Sequence, residues 1–94
     1  MTASSFVRHK VNDFATWKKG YDEVAQLRKD GGVIAESVHR APDDPNTVIV
    51  YHQYTDLSKA QGFVAAVSTG ELQSVLKKLG VKLETLEVWV GQDV

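Results

Sequence analysis

Two periods alternate along this chain. From Ser5 to Val11, Val7, His9 and Val11 fall on one side and Phe6, Arg8 and Lys10 on the other, which is the period of a strand. Asn12 or Asp13 then offers an N-cap oxygen. Phe14, Trp17, Tyr21, Val24 and Arg28 follow at spacings of three and four, which predicts a helix with one apolar stripe. Arg28, Lys29 and Gly31–Gly32 are the cations and glycines expected where it ends. Val33–Ala41 reads as a second strand, and Pro42–Asp43–Asp44–Pro45–Asn46 as the turn of a hairpin.

The stretch Thr47–Tyr54 does not alternate. It is almost entirely β-branched or aromatic, the composition of a strand, and a strand apolar on both faces is normally covered on both. One short chain supplies helices for one side only, so a second subunit is expected on the other. From Asp56, the positions Leu57, Ala60, Phe63, Val64 and Val67 predict a second helix. Ser68–Thr69–Gly70–Glu71 matches a capping box, so this helix is expected to break near Gly70 and restart with Leu72, Val75, Leu76 and Leu79. Lys82–Gly91 closes the chain as a strand, with Leu86, Val88 and Val90 opposed to Glu87 and Trp89. The order β-α-β-β-α-β is that of a ferredoxin-like α+β fold. Right-handed crossovers place its four antiparallel strands in the order 4-1-3-2, as one domain over residues 1–94.

Composition narrows the partners. With 11 basic and 12 acidic residues, a net charge of −1 and no basic stripe, the chain does not read as a nucleic-acid binder. No apolar run approaches the ~20 residues of a membrane helix. The absence of cysteine removes thiolate ligands and nucleophiles and fits a reducing cytoplasm. Met1–Phe6 does not read as a signal peptide, so a soluble cytoplasmic protein is expected. A chain of 94 residues also has a small core, which makes association a plausible source of stability.

Candidate chemistry centres on the histidines. If Ala41 pairs with Asn46 across the hairpin, His39 sits opposite Val48 and His52 lies about 13–14 Å further along the strand, at ~3.4 Å per residue. Those two cannot share a metal, and no metal site is expected. His9, between Val7 and Val11, is the candidate catalytic residue, a buried imidazole able to act as a general base. The competing reading is a core histidine bonded to a tyrosine or a carbonyl. The same register puts Ala35 and Ser37 beside Val48, Val50 and His52, where small side chains leave room for a ligand pocket. Trp17, Tyr21, Ser37, His52 and Phe63 are its expected lining, although aromatics at helical spacing also simply fill cores. The opposite face would carry Arg8, Lys10, Glu36, Arg40, Tyr51, Gln53, Glu87 and Trp89. Tyr51, Gln53 and Trp89 are the expected dimer contacts, with Trp89 as anchor.

The opening Val7–Arg8–His9–Lys10–Val11–Asn12–Asp13–Phe14–Ala15–Thr16–Trp17 and the stretch Asp44–Leu57, followed by a broken helix, resemble small proteins of the dimeric α+β barrel superfamily. Antibiotic biosynthesis monooxygenase-like proteins and polyketide cyclases belong to it. The resemblance implies two sheets packed face to face as a homodimer, with a pocket between each sheet and its helices. It implies a cofactor-independent monooxygenase or cyclase acting on an aromatic or polyketide-like molecule, without metal, flavin or haem. The alternative is a non-enzymatic homodimeric carrier, sensor or structural module. Haem-degrading relatives use an asparagine on the first strand and a histidine on the second long helix. Here no asparagine precedes Asn12 and no histidine lies in Leu57–Lys78, so haem degradation is not expected.

Overall fold

A computed structural model describes all 94 residues. The chain runs β1 (Ala3–Val11), α1 (Phe14–Glu23), α2 (Ala25–Asp30), β2 (Val33–Ala41), β3 (Asp44–Tyr54), α3 (Leu57–Ser68), α4 (Gln73–Lys78) and β4 (Val81–Gln92). The four strands pair antiparallel in the order β2-β3-β1-β4, the expected order read from the other edge.

Side-chain caps set the starts of the long helices. Asp13 accepts the backbone N–H of Thr16 at 2.9 Å and its hydroxyl at 2.8 Å, and Asp56 accepts the N–H of Lys59 at 2.9 Å. The first helix is not continuous. Val24 leaves helical geometry at φ −102°, ψ 23° and separates α1 from α2. Gly32 (φ 93°) and Gly80 (φ 82°) turn the chain in the left-handed region after α2 and α4. The capping box expected at Ser68–Glu71 does not form. Helix α4 starts at Gln73 with Leu72 at its N-cap and no side-chain cap. The Gln73 amide instead donates to the carbonyl of Ser68, and the Ser74 hydroxyl to that of Glu71.

One sheet face meets the helices and one does not. Val7, Val11, Val48 and Val50 of the sheet, with Val81, bury against Trp17 and Tyr21 of α1, while Ala3, Val33 and Tyr54 pack on Ala60 of α3. The other face presents Phe6 (46% exposed), Tyr51 and Trp89 (52% exposed) in one row. The Phe6 and Tyr51 rings lie 5.4 Å apart. Beside them the half-exposed pair Arg8–Glu87 closes at 2.8 Å and adds little stability on its own.

The hairpin register differs from the expected one. Ala41 pairs with Asp44 across Pro42–Asp43, and the ladder then skips Pro45–Thr47 before Arg40 meets Val48. The Asp44 carboxylate holds this bulge by accepting from the Asn46 N–H at 3.0 Å and the Thr47 hydroxyl at 2.8 Å. Ser37 therefore pairs with Tyr51, and Glu36 with His52. A shift of one residue exchanges the two faces of a strand. Ser37 thus leaves the helix-side pocket where it was expected, and bonds to His39 at 2.9 Å instead. Glu36 and Arg40 move from the expected open face to the helix side. There Glu36 meets Arg28 and Arg40 lies over Phe14.

Candidate functional site

A cavity of about 80 Å³ lies between the helix-side sheet face and the two helical segments. Val7 and His9 of β1 and Val50 and His52 of β3 form its floor. Trp17, Tyr21 and Arg28 close one side, and Phe63, Val67, Leu72, Val75, Leu76 and Leu79 the other. Its surface is apolar except where two imidazoles, an indole, a phenol and a guanidinium reach it.

The aromatic side chains touch in sequence. The His9 ring stands edge-on to Trp17 at 5.6 Å, Trp17 edge-on to Tyr21 at 4.9 Å, and Tyr21 to His52 at 6.1 Å. His52 continues to Phe63 at 5.4 Å, and Phe63 to Tyr54 at 5.8 Å. Period-two placement on β1 and β3 and helical spacing on α1 bring these rings together. Of the residues expected to line a pocket, Trp17, Tyr21, His52 and Phe63 border this cavity, as does His9. Ser37 does not.

Burial decides the charge of the site. His9 is 3% exposed and His52 5%, and loss of hydration lowers each pKa to about 4. The residue's own backbone works against that shift at His9. At His52 the Glu36 charge opposes it and the Arg28 charge adds to it. Both rings are therefore neutral near pH 7. Burial also raises the Tyr21 hydroxyl well above its ordinary value and pushes that of Tyr54 to about 12. Tyr21 shares a hydrogen with His52 Nε2 at 2.8 Å, and Tyr54 one with the Ser5 hydroxyl at 2.8 Å.

Arg28 is the cation at the cavity wall, and three of its five N–H donors are engaged. Its Nε and Nη2 donate to the two Glu36 oxygens at 2.8 and 3.0 Å, and Nη1 donates to the carbonyl of Tyr21. Its plane covers the Tyr21 ring at 3.6 Å. Sequence reasoning left the Arg28–Glu36 pair unassembled. The signal was present, since Arg28 stands in the apolar stripe of the helix and a buried guanidinium requires a partner.

Three buried polar atoms have no partner: His9 Nδ1, Trp17 Nε1 and His52 Nδ1. Each belongs to a side chain that lines the same cavity. Buried polar atoms are nearly always hydrogen-bonded, so these three are exceptions, and they lie within the packing of the aromatic chain and not on the surface of the cavity. The indole nitrogen donates only, and a neutral imidazole can accept or donate. An imidazole held near 4 is a better hydrogen-bond acceptor than general base at pH 7. No three histidine or carboxylate side chains converge in an arrangement that would hold a metal ion.

The chain shares its fold with solved structures described as antibiotic biosynthesis monooxygenases and related oxygenases. A protein of Bordetella bronchiseptica assigned to antibiotic biosynthesis monooxygenases superposes over 99% of this chain and 97% of its own, with a TM-score of 0.73 at 15% identity. SnoaB of Streptomyces nogalater, a cofactor-independent oxygenase, matches over 99% and 93%, with a TM-score of 0.72 at 15% identity. The monooxygenase ActVA-Orf6 of Streptomyces coelicolor, in complex with nanaomycin D, matches over 98% and 87%, with a TM-score of 0.66 at 18% identity. No family model matches the sequence, and no curated protein matches it.

Proposed function

We propose that the protein is a homodimeric small-molecule-binding protein that oxygenates an aromatic or polyketide-like substrate without a cofactor. The observation that carries this reading is an apolar cavity between sheet and helices lined by the side chains of His9, Trp17, Tyr21 and His52. The oxygenase and monooxygenase named above, SnoaB and ActVA-Orf6, support it by likeness of fold. Neutral His9 accepts a hydrogen bond from a substrate hydroxyl and orients it, and Trp17 packs against the substrate ring. Tyr21 holds the His52 ring in place through the bond at 2.8 Å. Dioxygen then replaces two hydrogens on an activated substrate carbon with a carbonyl oxygen. Its second atom leaves as water, so no external reductant is consumed. The exposed row Phe6–Tyr51–Trp89 is the face on which two copies meet, with Gln53 beside it.

Oxygen uptake with a panel of hydroxylated aromatics, followed by mass analysis under ¹⁸O₂, tests the reaction. One labelled oxygen in the product and at least a tenfold loss of rate in His9→Ala are expected. Unlabelled product, or an unchanged rate in His9→Ala on a confirmed substrate, would refute the assignment. A non-enzymatic carrier or structural module is the second reading. The cavity volume favours it, since about 80 Å³ is far below the roughly 300–1,000 Å³ of pockets for drug-sized ligands.

A further inference from the structure

The helices that wall the cavity are not held equally. Helix α1 starts on the Asp13 cap and buries Trp17 and Tyr21, and α3 starts on the Asp56 cap and buries Ala60 and Val67. Helix α4 has no side-chain cap, and none of its residues is fully buried. Six residues are too few for a helix to sustain itself in water. Elements with little buried apolar surface open before the rest of a domain does. Yet α4 and its flanks carry Leu72, Val75, Leu76 and Leu79, most of the apolar wall on one side.

The two ends of α4 are tethered. The Leu72 N–H donates to the carbonyl of Ala66, and the Gln73 amide to that of Ser68. At the other end Gly80 turns the chain at φ 82°, and its carbonyl accepts the Asn12 N–H at 2.9 Å. Between the tethers, Leu79 rests on α1. A Cβ at Gly20 would lie 2.1 Å from Leu79 Cδ2 and 3.4 Å from its Cγ, so only glycine leaves room for the methyl. Glycine inside a helix costs stability relative to alanine, and α1 gives up that stability where Leu79 is seated.

We propose that α4 is the lid of the cavity, latched by Leu79 on the backbone of Gly20 and hinged at its two tethers. When Leu79 leaves its seat, the seam between α1 and α4 parts and the cavity gains a mouth and volume. The closed space of about 80 Å³ is below the ~150 Å³ of a cavity that holds benzene, so even a single ring enters only by that movement. Such a lid serves an oxygenase and a carrier alike.

The chain has no cysteine, so Gly20→Cys combined with Leu79→Cys sets its only two thiols across the seam. The change at 79 removes the Cδ2 that the new Cβ would strike. Its sulfur takes the Cγ position, 3.4 Å from that Cβ, within reach of a disulfide. Amide hydrogen exchange of the unmodified protein should find α4 at least tenfold less protected than α1 and α3. Benzene, followed by the methyl signals of Val7 and Val50 on the cavity floor, should bind the reduced double variant. Oxidation should slow its entry at least tenfold, and dithiothreitol should restore it. Leu79→Ala, which removes the seated methyl and adds no thiol, should lower α4 protection at least threefold and leave α1 and α3 unchanged. Equal protection of all three helices would overturn the lid, as would benzene entry that ignores the disulfide or fails in the reduced form. An even loss across the helices in Leu79→Ala would overturn the latch and the lid with it. Disulfide-gated entry of benzene without oxygenation of any aromatic would uphold the lid and remove only the oxygenase reading.

Discussion

Acidification reads the buried histidines directly. In the unfolded chain both imidazoles titrate near 6.5, whereas burial holds His9 and His52 at about 4 in the folded protein. Between those values the unfolded chain binds more protons. Stability is therefore full above 6.5 and falls as the pH drops toward 4. A difference of roughly 2.5 units at 1.36 kcal/mol per unit gives ~3 kcal/mol per histidine across the whole window. At pH 5 the loss for both rings is roughly 4 kcal/mol, against the ~5–15 kcal/mol by which a typical domain is stable. Glu36 and Asp93 do not confuse this range. Hydrogen bonds from Arg28 lower the pKa of Glu36, and bonds from Ser4, Thr2 and Gln53 lower that of Asp93, so both withdraw stability only below the ordinary carboxylate range. The assay is urea unfolding from about pH 7.5 to 5 at one protein concentration, which holds any association constant. His9→Leu should halve the loss. A change below ~1 kcal/mol in the unsubstituted protein would mean that the rings are solvated or charged, and the neutral cavity would be refuted.

Tyr21→Phe removes the hydroxyl bonded to His52 Nε2 and leaves both ring nitrogens unpartnered. It should cost ~1–3 kcal/mol, and a double-mutant cycle with His52→Leu should recover most of that cost. Glu36→Gln leaves a guanidinium whose side chain is 6% exposed without its counter-charge, so unfolding measurements should show a loss of ~2–4 kcal/mol. Trp89→Glu places a charge in the exposed aromatic row of the sheet and should convert the proposed dimer to monomer in sedimentation velocity, with the far-ultraviolet circular dichroism unchanged.

Strand order and element order were legible because they rest on long patterns. Alternation in β1 and β4 and the stripe Phe14–Arg28 each repeat over several residues, and local exceptions do not erase them. The face of β2 was not legible, because it depends on a single residue of register. Five turn-forming residues, Pro42–Asn46, read as one loop, yet Asp44 spends its carboxylate on Asn46 and Thr47 and resumes the strand early. That local competition moved Ser37 out and Glu36 in. The bulge opposite His9 in β4 was hidden for the same reason. Between the pairs Arg8–Glu87 and Lys10–Lys82 the ladder is interrupted, and the Thr85 hydroxyl takes the Lys10 N–H at 2.9 Å. His9, Trp17, Tyr21, His52 and Phe63 could be placed together because each follows from the phase of a well-patterned element. The unpartnered nitrogens could not, since partner counts exist only in three dimensions.

Native mass spectrometry of freshly purified protein tests the central claim most directly, because it reads assembly and occupancy together. The account predicts a dimer carrying a reproducible small adduct, at most one per subunit, that is lost on denaturation and has the mass of an aromatic or polyketide-like compound. A monomer with an empty cavity would contradict both the role of the exposed aromatic face and the ligand site.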